Sequence, residues 1–62
     1  MNYWVEQKSD WDDEGKVWEL VMMFEFESDA EAWIRRKVKT ELVSIKSFRI
    51  FNLATNEIKY LE

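Results

Sequence analysis

Four closely spaced carboxylates are the groups of this chain best suited to chemistry: Asp10, Asp12, Asp13 and Glu14. Carboxylate oxygens bind calcium ions, and pairs of carboxylates act as general acids and bases. The spacing lacks the alternation of an EF-hand calcium loop, and no pair is distinguished from ordinary surface charge. We therefore predict that these residues form a solvated turn, with no metal site and no catalytic residue.

Catalysis of the common kinds is disfavoured by the residue types that the chain lacks. It contains no cysteine, no histidine and a single glycine, Gly15. This composition excludes disulfides, thiolate and imidazole metal centres, the usual nucleophilic triads and a glycine-rich phosphate loop. A chain of 62 residues also seldom encloses a pocket large enough for a substrate. We predict that the protein is not an enzyme and binds no cofactor.

The acidic residues have a second interpretation, as a surface that binds a basic partner. The chain carries thirteen Asp and Glu against nine Lys and Arg, which gives a net charge of −4. A small acidic protein can occupy a basic groove on another protein. In size and composition the chain resembles small inhibitors that bacterial viruses encode. This alternative function assigns the acidic surface to Asp10, Asp12, Asp13 and Glu14.

The basic run at residues 35–39 is the corresponding candidate for a nucleic-acid surface. Phosphate neutralisation dominates non-specific nucleic-acid binding, so a net-negative chain without a separate basic face is poorly suited to it. These residues are better explained as the end of a helix, where positive charge stabilises the helix dipole. We expect no nucleic-acid partner.

A strand that changes into a helix is indicated by a change of hydrophobic period between residues 16 and 38. Over 16–27 apolar residues alternate with glutamates, as expected of a strand with one buried face. The predicted buried residues are Trp18, Leu20, Met22, Phe24 and Phe26. Ser28 and Glu31 have the spacing of a capping box, which predicts Ser28 as the helix N-cap. The apolar stripe of this helix, of about three turns, is Ala30, Trp33, Ile34, Val38 and Leu42.

Three further strands complete the predicted fold. Residues 2–8 form the first, with Tyr3 and Val5 on one face and Trp4 on the other. Residues 44–52 and 58–61 form the last two, joined by a hairpin loop in which Asn56 is left-handed. The prediction is one α+β domain, residues 1–62, ordered β-β-α-β-β, with one helix packed on one face of a four-stranded antiparallel or mixed sheet. The second and third strands are either neighbours or separated by an inserted strand.

A lone helix covers one face of such a sheet, and the other face still carries apolar side chains. Leaving several of them in water forgoes a large share of the stability that a small domain can have. We predict a protein–protein interaction module that self-associates as a homodimer through an open sheet face or an edge strand. The alternative occupant is a different protein. The interface candidates are Trp4, Trp11, Val17, Val21, Met23 and Phe51.

The cellular location is indicated only by the absence of sorting signals. The first residues lack the basic and apolar segments of a signal peptide, and no apolar run is long enough to span a bilayer. We expect a cytoplasmic protein that does not contact a membrane.

Overall fold

The computed structural model describes residues 1–8 and 17–61. Within these ranges the elements are β1 (Tyr3–Lys8), β2 (Trp18–Phe24), α1 (Glu27–Glu41), a 3-10 turn (Ile45–Ser47), β3 (Phe48–Asn52) and β4 (Glu57–Tyr60). The four strands form one antiparallel sheet in the order β2-β1-β3-β4, and α1 packs against it. The predicted α+β class and β-β-α-β-β order are confirmed. The second and third strands are separated by β1.

Strand β1 lies at the centre of the sheet and fixes which side each neighbour presents to the helix. Val5 is fully buried and pairs with Ile50 of β3, which is also buried. Trp4 pairs with Phe51 on the opposite face. The predicted division of β1 into a face with Tyr3 and Val5 and a face with Trp4 is therefore confirmed, as expected from strict alternation in a regular strand.

The helix begins at Glu27, and Phe26 is its N-cap. Since the helix begins before Ser28, the prediction of Ser28 as the N-cap is wrong. The structure shows no side-chain hydrogen bond that caps this helix start. The chain enters the helix directly from the end of β2, which places Ser28 inside the first turn. Glu27 and Asp29 in that turn supply negative charge at the positive end of the helix dipole.

The predicted apolar stripe of the helix packs on the sheet except at its last position. Ala30 and Ile34 are buried, and Trp33 and Val38 pack against the core. Leu42 is 90% exposed, because it lies beyond the last helical residue in a left-handed conformation with φ of 54°. The prediction that Leu42 belongs to the core stripe is wrong.

The core is small and is completed by aromatic contacts. Its buried members are Val5, Ala30, Ile34, Phe48, Ile50 and Leu61. The Trp33 ring lies edge-on to Phe48, with 6.2 Å between ring centroids, and 6.3 Å from the Phe24 ring of β2. Such contacts add to the burial energy of the rings. Trp33 therefore ties the helix to both β2 and β3.

A bulge in β2 changes which of its side chains face the helix. Val5 pairs with Met22 while the next residue of β1, Glu6, pairs with Leu20, so Val21 is the extra residue. Phe24 packs against the core as predicted, but Trp18 and Leu20 lie on the far face of the sheet, and Phe26 is 63% exposed. The predicted inward face is therefore wrong at Trp18 and Leu20, which the bulge turns to the far side. The predicted burial is also wrong at Met22, which is on the helix side but 42% exposed, and at Phe26, which lies beyond the strand.

The remaining turns follow local chemistry. The predicted strand 44–52 begins only at Phe48, because Ile45–Ser47 form a 3-10 turn in which the Lys46 amide donates to the Ser44 side-chain oxygen at 3.2 Å. Asn56 closes the last hairpin with φ of 61°, which confirms the predicted left-handed residue.

Candidate protein interface

Exposed apolar side chains concentrate at one edge of the sheet. Of the nine large hydrophobic side chains that are exposed in the described residues, three lie in β2 and three lie beside it: Leu20, Met22, Met23, Met1, Val17 and Phe26. We call Met1 and the segment Leu20 to Met23 the β2 edge. No described strand pairs with the outer side of β2, because this strand is the last in the sheet order. The β2 edge therefore holds four of the nine exposed large hydrophobic side chains of the described residues.

The β2 edge forms a shallow cavity of about 400 Å³. Its lining consists of Met1, Leu20, Val21, Met22 and Met23, so all three methionines of the chain lie there. Methionine is unbranched and polarizable, and it adapts its shape to different neighbours. Such a lining suits contact with an apolar segment of another chain.

The β2 edge also has few of the devices that normally protect an edge strand. Natural edges are blunted by lysine, proline, inward-pointing charges or bulges. Between Trp18 and Phe24 the sole charged residue is Glu19, and there is neither lysine nor proline. The bulge at Val21 is the one such device present, and it leaves the flanking side chains exposed.

The opposite edge of the sheet, β4, is protected by charge. Its sequence is Glu57, Ile58, Lys59 and Tyr60, and the Lys59 ammonium contacts Glu27 at 3.1 Å and Glu31 at 3.3 Å on the helix. Hydrogen bonds to Glu27 and Glu31 raise the pKa of Lys59 above its ordinary value. Lys59 therefore stays charged on this edge at any ordinary pH.

The sheet face opposite the helix, which we call the open face, is covered by its own side chains. At its centre the Arg49 Nε donates to a Glu6 carboxylate oxygen at 2.7 Å, and these side chains are only 19% and 17% exposed. Trp18 reaches in from β2, with its ring 4.3 Å from the Arg49 guanidinium carbon, and Tyr60 reaches in from β4, with its ring 6.3 Å from that of Trp18. The two edge strands thus supply a partial roof over the ion pair.

Electrostatics agree with this description of the open face. Burial alone lowers the pKa of Arg49, but hydrogen bonds to Glu6 and to the Tyr60 hydroxyl outweigh it and raise the pKa above its ordinary value. The guanidinium is therefore held by partners within the chain. It is not available as an unpaired cation for an external ligand.

The six predicted interface residues fall in different places. Trp4 and Phe51 are half-buried on the open face, with 6.2 Å between their ring centroids. Val21 packs against the core, whereas Met23 is exposed at the β2 edge and Val17 is exposed just before it. Trp11, together with Asp10, Asp12, Asp13 and Glu14, lies outside the described residues.

Sequence reasoning missed Met1, Leu20 and Met22 as surface residues. Leu20 was expected in the core because alternation was assumed to continue through the whole of β2, and Met22 because β2 was not expected at the edge of the sheet. The usable signal was the absence of any charge from Leu20 to Phe24, which is unusual for a strand at a sheet edge.

The described surface offers little for the other kinds of site. A second cavity, of about 480 Å³, lies between β4 and the start of the helix, and its cation, Lys59, is already bound by two carboxylates. Residues 1–8 and 17–61 contain no cluster of three or more potential metal ligands. In the same ranges no helix combines the length and apolar character needed to cross a bilayer.

Charge is balanced over the described residues. Eight acidic and eight basic side chains lie within 1–8 and 17–61, so the net charge of −4 comes from residues 9–16 and Glu62. The basic residues Arg35, Arg36 and Lys39 lie on the helix, on the other side of the sheet from the aromatic rings of the open face.

On the open face itself Arg49 is paired with Glu6. This leaves Lys8, opposite Trp18, as the exposed cation near the aromatic rings in the described residues. One lysine is a weak basis for phosphate binding, which argues against a nucleic-acid surface.

Comparison with known proteins gives no match to any protein-family model, to any curated protein or to any solved structure. The function has to be argued from the surfaces of the chain itself.

Proposed function

We propose that this chain is a non-enzymatic protein–protein interaction module that self-associates through the β2 edge. The observation that supports this most strongly is the concentration of exposed apolar side chains along a single edge strand. An edge strand presents unpaired backbone groups as well as side chains, so a second strand added to it gains hydrogen bonds and apolar burial together.

The edge is a better candidate than the open face for this contact. On the open face, Trp4, Trp18 and Phe51 are already half-buried against neighbours, and the Glu6–Arg49 ion pair lies beneath Trp18. A partner docking there would gain little new apolar burial. At the β2 edge, Leu20, Met22 and Met23 are each more than two-fifths exposed and have room to pack on a second chain.

A second copy is favoured as the occupant by charge. Each copy brings one charged residue within β2, Glu19, and an antiparallel arrangement of two β2 strands separates the two Glu19 side chains along the strand direction. The described residues are neutral overall, so the net charge of −4 that each copy carries comes from residues 9–16 and Glu62 and not from β2 or the elements beside it. Closed two-fold pairing is also the commonest form of self-association.

The expected dimer is weak. Full burial of a leucine or methionine side chain contributes about 1.5–3 kcal/mol, and each of the three is a little under half exposed. Burial of the exposed parts therefore contributes about 1 kcal/mol per side chain from each copy. Association costs about 4–15 kcal/mol in lost freedom of motion, which backbone hydrogen bonds offset in part. The balance predicts a dissociation constant on the order of tens to hundreds of micromolar.

Two variants with matched exposure test the proposal. Met22 at the β2 edge and Ile58 in β4 are both 42% exposed, so lysine at either position places a charge in an equally accessible place. Sedimentation equilibrium up to about 1 mM should show a wild-type monomer–dimer equilibrium. Met22→Lys should weaken dimerisation at least about tenfold, because the buried charge would have no partner, while Ile58→Lys should leave it unchanged.

The same experiment identifies the outcomes that overturn the proposal. A wild-type chain that is monomeric throughout the range would contradict self-association, even if an extended peptide from another protein bound at this edge. Because Ile58 lies on the open face, loss of the dimer in Ile58→Lys but not in Met22→Lys would assign the interface to that face. Circular dichroism on both variants confirms that each is folded.

The alternative of an acidic inhibitor depends on residues outside the described ranges. Asp10, Asp12, Asp13 and Glu14 carry the excess negative charge that would meet a basic host protein. This alternative stays a prediction. Its test is salt-sensitive binding of one basic protein that is lost when Asp12 and Asp13 are both replaced by lysine.

A further inference from the structure

The bulge in β2 restricts how two copies could align, provided that they pair through this edge as proposed above. In an antiparallel pair, residues directly opposite each other lie on the same face of the sheet. Consider two identical regular strands related by a two-fold axis perpendicular to the sheet. Because the faces alternate along each strand, the rule is met only when one residue lies opposite its own copy, with the axis between the two. In a regular β2 strand centred on Val21, Leu20 would then lie opposite Met22 of the second copy.

The bulge removes that alignment. Leu20 lies opposite Glu6 on the open face, whereas Met22 lies opposite Val5 on the helix side. Leu20 and Met22 are therefore on different faces, although they are two positions apart. Met23, opposite Trp4, shares the open face with Leu20. The extra residue, Val21, has shifted the alternation by one position.

We propose that two copies pair with the two-fold axis between Val21 and Met22, so that Leu20 of each copy lies opposite Met23 of the other. In this alignment every opposed pair from 19 to 24 shares a face: Val21 with Met22 and Glu19 with Phe24 on the helix side, and Leu20 with Met23 on the open face. The product is one eight-stranded antiparallel sheet with both helices on the same side.

Charge and side-chain shape agree with the alignment. Glu19 of one copy lies beside Phe24 of the other, where its carboxylate can reach water while its methylene groups cover part of the ring. No carboxylate is directly opposite another. The flexible Met22 and Met23 side chains lie next to the axis, where the two bulges meet and the strand surfaces are least regular.

Cross-linking with introduced cysteines tests the alignment. The chain has no cysteine, so each variant carries a single thiol. A mixture of Leu20→Cys and Met23→Cys chains, oxidised above the dimer dissociation constant, should give a mixed disulfide in about tenfold excess over either homodisulfide, because disulfide geometry tolerates only short Cβ separations. Mass spectrometry distinguishes the three products. A mixture of Leu20→Cys and Met22→Cys is the matched control and should give little mixed disulfide.

The outcomes separate this inference from the proposed function. Efficient Leu20–Met22 cross-linking with little Leu20–Met23 cross-linking would overturn the alignment while the edge dimer stands. Dimers by sedimentation with neither cross-link would place the interface elsewhere and overturn both proposals. A chain that sediments as a monomer would overturn the proposed function itself.

Discussion

The two edge strands of the sheet, β2 and β4, present opposite surfaces to solvent. β2 has seven residues with one charge among them, whereas β4 has four residues, of which two are charged. Lys59 of β4 is bound to two helix carboxylates, whereas Met22 and Met23 of β2 are exposed apolar side chains. This difference is the basis of our proposal that the β2 edge pairs with a second copy and the β4 edge does not.

This asymmetry matters because a sheet with two open edges would not stop at a dimer. Pairing at both edges extends a sheet without limit, whereas a single self-complementary edge closes after two copies. A small domain with one edge strand that self-associates therefore forms a closed dimer if its other edge is protected by charge. The comparison can be tested by changing one edge at a time.

The largest expected effect is a loss of stability when the aromatic ring that an edge strand places on the open face, Trp18 of β2 or Tyr60 of β4, is removed. Trp18→Ala should lower the free energy of unfolding by about 2 kcal/mol, because it removes a ring in contact with the Arg49 guanidinium and uncovers the Glu6–Arg49 pair. Tyr60→Ala should cost only about 1 kcal/mol, because Tyr60 is 60% exposed. Urea denaturation of dilute protein measures both values.

If the two substitutions lowered the free energy of unfolding equally, Trp18 would not cover the Glu6–Arg49 ion pair more than Tyr60 does, which would contradict this account. Trp18→Phe is a useful intermediate, since it keeps a ring but weakens the contact with the cation. It should fall between the wild type and Trp18→Ala.

A smaller effect is expected when the protection of β4 is removed. Lys59→Val replaces the charge on that edge with a strand-forming apolar residue, so β4 strands should also pair, though weakly because β4 is short. At concentrations where the wild type is dimeric, the weight-average mass by light scattering should exceed twice the 7.6 kDa chain mass. Lys59→Arg keeps the charge and should remain a dimer. A dimeric Lys59→Val chain would show that charge at β4 is not what limits assembly.

The parts of the fold that could be predicted are those set by local pattern. The buried positions Ala30 and Ile34 follow from helical spacing, and the two faces of β1 follow from alternation. The left-handed Asn56 follows from the chemistry of a short hairpin. Each of these depends on residues close together in the sequence.

The parts that could not be predicted depend on pairing between distant residues. The bulge at Val21 is defined by the pairing of β2 with Val5 and Glu6 of β1, which are distant in the sequence. No residue type within β2 predicts it. Its consequence is that Trp18 and Leu20, which alternation alone assigned to the core, lie on the open face. Met22 keeps its predicted face but is exposed, because it lies on the edge strand of the sheet. Met23 was identified as an interface candidate because it lies after the shift, where the predicted and observed faces agree.

The most direct test of the central claim is hydrogen–deuterium exchange of the wild-type chain at two concentrations, about tenfold below and tenfold above the dimer dissociation constant. The account predicts that amides of β2, Trp18–Phe24, exchange more slowly at the higher concentration, while amides of β4, Glu57–Tyr60, are unaffected. Exchange in β2 that does not change with concentration, or added protection confined to β4, would contradict it.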